Sequence, residues 1–171
     1  MRSGDCISWS GDNLFSRMIR IWTPRSHISI VVDSPPGWPE RRFIIEAAEG
    51  EVNPRILSKK LANYDGHAWW HPLKPEFYLY RAELAKCFWD LIGIDYDDLG
   101  LVANVGGLVD EDDSAFFCSE LAGYGYKKVI PIEYLKKFLP NHNLNLLLKG
   151  KALRPGGITG LPLFLSETEI L

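Results

Sequence analysis

Ser26-His27-Ile28-Ser29-Ile30-Val31-Val32 and, past a proline-rich stretch, Phe43-Ile44-Ile45-Glu46-Ala47-Ala48 decide the fold. Both runs are short and rich in β-branched residues, which suit a pleated, half-buried surface, so both read as strands. Residues 33–42 between them contain Pro35, Pro36, Gly37 and Pro39, which is loop chemistry. An antiparallel hairpin with a long loop is the simplest connection. On the first strand His27, Ser29 and Val31 share one face, and Ile28, Ile30 and Val32 the other. The second face is wholly apolar and is expected to meet the core.

The register decides what the polar residues do. If Val32 pairs with Phe43, Ser29 lies opposite Glu46 and His27 one pair further along. His27 and Glu46 are then diagonal neighbours on one face, roughly 7–8 Å apart between α-carbons. A two-residue shift sets them directly opposite each other, and a one-residue slip puts them on opposite faces.

Outward from the hairpin, Leu14, Phe15, Met18, Ile19 and Trp22 recur at helical spacing over residues 14–22, preceded by a turn at Ser10-Gly11-Asp12-Asn13. Thr23-Pro24-Arg25 ends that helix, because proline cannot continue it. Residues 67–73 and 76–82 read as strands broken by Pro72 and Pro75, and residues 85–92 as a short helix. Asp113 or Ser114 caps a helix running through Cys118 to about residue 124. Residues 132–138 read as helix, 144–149 as strand, and Arg154-Pro155-Gly156-Gly157 as a turn. Helices and antiparallel strands mix without a βαβ rhythm, so the expected class is α+β, in one domain over residues 1–171.

Composition limits the function. The chain has 171 residues, 46% hydrophobic and 24% charged, so it is long enough for a real core and is not a disordered composition. A net charge of -3 gives no basic footprint for nucleic acid. Cys6, Cys87 and Cys118 are odd in number and lack zinc-knuckle or redox spacing, which favours a reducing compartment. No apolar run reaches about 18 residues, so no membrane span is expected. The first residues lack the apolar core of a signal peptide. The expected location from these features is cytoplasmic. Through Phe15, Trp22 and its arginines the 14–22 segment also suits peripheral membrane contact, although packing against the hairpin explains it better.

Cys118, in Phe116-Phe117-Cys118-Ser119-Glu120-Leu121, is the candidate nucleophile. A thiol, an imidazole and a carboxylate make an activated cysteine, and His27 and Glu46 supply the other two parts. Helix N-termini and neighbouring imidazoles stabilise thiolates. Glu46 would orient the ring, and the Cys118 amide would help bind an oxyanion. Taken alone, a cysteine among phenylalanines and leucines is more often a small buried hydrophobe. His67 and His71 are spaced to share a face of an extended segment, but no third ligand lies nearby in sequence. No metal and no cofactor are expected. Gly106-Gly107 and Gly156-Gly157 lack the lysine of a phosphate-binding loop and read as turns.

Ser26-His27-Ile28-Ser29-Ile30, Ile45-Glu46-Ala47 and Phe117-Cys118-Ser119-Glu120-Leu121, with Gly11-Asp12-Asn13-Leu14-Phe15-Ser16 before them, resemble the circularly permuted papain-like family. These are the bacterial and phage relatives of the NlpC-like cell-wall peptidases, grouped with the lecithin retinol acyltransferases. The order His, Glu, Cys reverses the cysteine-first order of papain. Tyr96-Asp97 after Gly93 resembles a further family segment. The resemblance spans roughly residues 9–165. It implies a permuted papain-like fold, an antiparallel sheet or partial barrel packed against helices. It also implies Cys118 as nucleophile, His27 as general base, Glu46 as orienting residue and Tyr96 in a pocket or oxyanion role. The expected activity is hydrolysis of a cell-wall-type peptide or amide through a thioester. Hydrolysis or transfer of a lipid or ester acyl group is the alternative chemistry, a non-catalytic module of a phage particle or envelope complex the alternative class, and the resemblance adds a phage-associated location to the cytoplasmic one.

Overall fold

The computed structural model describes residues 1–11, 25–35, 37–38, 41–48, 51–94, 117–149 and 155–171. Six strands form one open antiparallel sheet in the order β4-β3-β2-β1-β5-β6, and these are β1 (Cys6–Gly11), β2 (His27–Asp33), β3 (Arg42–Ala48), β4 (Glu51–Ile56), β5 (Gly66–His71) and β6 (Thr168–Glu169). The helices are α1 (Leu57–Asn63), α2 (Arg81–Trp89), α3 (Phe117–Val129), α4 (Ile132–Phe138), α5 (Asn141–Lys149) and α6 (Pro155–Thr159), and a 3-10 helix (Pro75–Tyr80) leads into α2. The class is α+β. Among the described residues the sheet ends at β4 on one side and β6 on the other and is open.

The central hairpin forms as its alternation requires. Val32 pairs with Phe43 and Ile30 with Ile45, the register that brings Ser29 level with Glu46. Both faces of the sheet are covered. Ile28, Ile30, Val32, Ile45 and Ala47 meet the main core, built from α2, α3 and the helices after them. Ile7, Trp9, Val31, Ile44 and Ala68 form a smaller core beneath Leu57 of α1.

Helix α3 docks through Cys118, Leu121, Ala122 and Tyr126, all buried, at the i, i+3, i+4, i+8 spacing of one helical stripe. Burying a side chain of leucine or phenylalanine size stabilises by roughly 1.5–3 kcal/mol, so this stripe fixes the rotation of the helix. Gly125 belongs to the same stripe. A Cβ there would lie 2.2 Å from Phe88 Cζ, so the phenyl ring of α2 packs directly on the glycine backbone.

Asp5, 1% exposed, fastens the opposite end of the sheet. Its Oδ1 accepts from Leu73 N at 3.0 Å and Arg81 Nη1 at 2.8 Å, and its Oδ2 from Arg2 N and Trp70 Nε1, both at 2.9 Å.

Several expectations need correction. Ser10 and Gly11 finish strand β1 rather than forming a turn, because each pairs with β5. Residues 76–82 are not a strand. Pro75 opens a 3-10 helix there, a position where its missing N–H costs nothing, and the chain continues into α2. Residues 144–149 lie within helix α5, where Leu144 and Leu147 are buried at i, i+3 spacing. His142 is exposed on that helix rather than in a turn. The tail turn begins helix α6. The expected helix at 14–22 lies outside the described residues.

Candidate active site

His27 is the first residue of β2, Glu46 lies within β3, and Cys118 is the second residue of α3. The register already described carries Glu46 to the face that holds Ser29 and Val31. The α3 stripe carries Cys118 to the other face. His27, at the end of its strand, meets both. Its Nε2 is 3.1 Å from Glu46 Oε2, and its ring hydrogen-bonds the Cys118 side chain. The structure therefore brings the three candidate residues together from three separate segments. Tyr96 lies outside the described residues.

Glu46 is 4% exposed and is the hub of the cluster. Besides His27, its Oε2 accepts from Ser29 Oγ at 2.8 Å and from the Lys60 ammonium. Arg55 Nε stands 3.7 Å from Oε1. Ser29 Oγ in turn accepts from Trp9 Nε1 at 2.8 Å, and Lys60 Nζ sits 4.4 Å above the centre of the Trp9 ring.

The electrostatics follow from these contacts. Burial alone would favour neutral His27. The charge and hydrogen bond of Cys118, then the bond to Glu46, overcome burial and the repulsion of Lys60 and push the imidazole up to about 9. Burial opposes the charge on Glu46 as well, but the His27 bond and charge, with Lys60, hold its carboxyl well below the usual range. Lys60 is pushed below the ordinary lysine value by burial, against the pull of Glu46. Burial pushes Cys6 well up, reinforced by Cys118 and Asp5, and it raises Cys87 against the pull of Lys128.

The two remaining histidine candidates do other work. His67 is exposed, bonds Glu169 at 2.8 Å and stacks on Trp69. His71 is buried, and its Nε2 lies 2.8 Å from Ser8 Oγ. Burial lowers its value to about 4 despite nearby Glu167, and Arg25 adds to the lowering. Among the described residues, no group of three or more His, Cys, Asp or Glu side chains is placed to hold a metal ion. No described helix is long and apolar enough to cross a membrane.

Ser29, Lys60 and Trp9 were not singled out by the sequence. Ser29 was legible as the residue level with Glu46. Lys60 had no local signal, because it reaches Glu46 only through the packing of α1 on the sheet. No protein-family model matches the chain, and no curated protein matches its sequence.

Proposed function

We propose that this chain is a cysteine-dependent hydrolase with a permuted papain-like fold, cleaving peptide or amide bonds of cell-wall type. One observation carries the reading: the His27 ring bonds both the Cys118 side chain and the Glu46 carboxylate. With Nε2 committed to Glu46, Nδ1 is the nitrogen left for the thiol.

The reaction follows from those roles. The Cys118 sulfur, as thiolate, attacks the amide carbonyl carbon, and the C=O electron pair moves to oxygen. In this reading the Cys118 amide helps bind the developing oxyanion. Collapse breaks the C–N bond, and imidazolium His27 gives its proton to the leaving nitrogen. A thioester remains. His27, now neutral, takes a proton from water as the oxygen attacks, and the acid product leaves Cys118 as thiolate with His27 recharged. General acid–base help of this kind is worth roughly 10²–10⁴-fold in rate.

Reactivity at the sulfur tests the reading. Iodoacetamide near pH 6, followed by peptide mass spectrometry, should modify Cys118 far faster than Cys6 or Cys87, whose thiols burial keeps protonated. His27→Ala should abolish the difference. A Cys118 rate no higher than in the denatured chain would end the proposal. Cell-wall peptides, amino-acid amides and acyl esters, compared on wild type and Cys118→Ala, then identify the bond class.

A further inference from the structure

Glu46 Oε2 carries an unusual load. His27 Nε2, Ser29 Oγ and Lys60 Nζ all donate to this one oxygen. A carboxylate oxygen offers about two lone-pair directions, so three donors must share them. Lys60 is not a loose surface lysine. Its side chain is 18% exposed, and the indole face of Trp9 supports the ammonium from below. Trp9 is itself 0% exposed and is braced edge-on by Tyr64 at 4.8 Å. The same indole donates its N–H to Ser29 Oγ, which turns the serine proton towards Glu46. Trp9, Ser29, Glu46 and Lys60 thus close a ring of contacts beside His27.

We propose that Lys60 is a positioning residue of this site: it holds Glu46 ionised and takes a share of Oε2 that His27 would otherwise command. The imidazole is therefore oriented by the carboxylate without being gripped by its full charge. The role rests on the hydrolase reading for its purpose, but not for its geometry. A general acid works best when its proton is held neither too loosely nor too firmly at the working pH. A carboxylate given wholly to His27 would hold that proton too firmly for delivery to a leaving amine.

The size of the effect follows from distance. Two nitrogens bonded to one oxygen lie about 6 Å apart at most, two hydrogen-bond lengths. Coulomb's law at an effective dielectric of about 20, reduced by partial exposure, makes the shift on the order of one pH unit. Among the described residues, the charged groups facing His27 are Glu46 from β3, Cys118 from α3 and Lys60 from α1, and Arg55 of β4 reaches Glu46 from the other oxygen.

NMR titration of the His27 ring tests this, in a Cys118→Ala background that removes the thiolate. Lys60→Met should raise the ring's midpoint by about one pH unit, and Lys60→Arg should return it towards the parent value. Lys60→Gln is a second neutral variant should methionine unfold the chain. An unchanged or lowered midpoint in the neutral variants overturns the proposal, as does an arginine variant that titrates like methionine. A purely structural lysine would give that last pattern. With Cys118 restored, the alkaline limb of its alkylation profile should move up in Lys60→Met. If Cys118 is unreactive in every variant, the hydrolase reading fails while the titration still decides the part played by Lys60.

Discussion

Replacing Glu46 by glutamine changes one charge and almost no volume, at a residue that is 4% exposed. Charge-assisted hydrogen bonds contribute about 1.5–3 kcal/mol, against about 0.5–1.5 kcal/mol for neutral ones. The bonds from His27 and Lys60 therefore weaken by about 1 kcal/mol each. The Ser29 bond weakens less. The new amide NH2, with the three donors kept on oxygen, faces the Arg55 guanidinium and adds a repulsion. The sum is about 3 kcal/mol at neutral pH, the lower end for breaking a buried pair. That is a large part of a typical stability of roughly 5–15 kcal/mol, yet the variant should still fold. At an m-value of about 2 kcal/mol/M, the urea midpoint should fall by about 1.5 M.

The pH dependence gives this prediction its sign. Glu46 is held below its ordinary value of 4.5, so its stabilisation is fully present above that pH and is lost as pH falls below it. The gap between wild type and Glu46→Gln should be widest near pH 7 and should narrow in acid. Urea unfolding followed by tryptophan fluorescence at pH 7 and pH 4 measures both. Equal midpoints at pH 7, or a gap that widens in acid, would refute the reasoning about the hub.

Gly125→Ala improves helix propensity by about 1 kcal/mol but drives a methyl group into Phe88. Phe88 is 0% exposed, so overpacking at about 1–3 kcal/mol should win. The expected result is a net loss of about 1 kcal/mol in urea unfolding and slower Cys118 alkylation as α3 shifts. A stabilised variant would contradict the packing argument. Asp5→Asn sets an amide NH2 against donors already aimed at the carboxylate from Leu73, Arg81, Arg2 and Trp70. It should destabilise by roughly 3–5 kcal/mol in the same assay, and a loss under about 1 kcal/mol would count against the network.

The hairpin was legible because alternation and β-branching act locally, and Val32 opposite Phe43 is one of few registers that hide Ile28, Ile30 and Val32 together. Strand β4 was illegible because Pro54 argues against a strand. It is tolerated there because β4 lies at the sheet edge. The Phe77-Tyr78-Leu79-Tyr80 run misled in the opposite direction, since aromatic content favours strands while Pro75 starts a helical turn. The pairing of His27 with Glu46 followed from strand geometry once a register was assumed. Lys60 did not, because its contact with Glu46 depends on how α1 settles over Trp9, and no spacing in the sequence encodes that angle.

The arrangement of the site along the chain has a consequence for how it comes into being. His27, Glu46 and Lys60 all fall within residues 27–60, a stretch that runs through β2, β3, β4 and α1 as consecutive neighbours in space. Contacts between near neighbours in sequence close little loop and form early, whereas Cys118 is brought in by one distant helix. The cluster of His27, Glu46 and Lys60 can thus assemble before Cys118 arrives. In a partly folded chain Cys118 has no imidazole beside it, and it meets His27 only when α3 has docked along its apolar stripe.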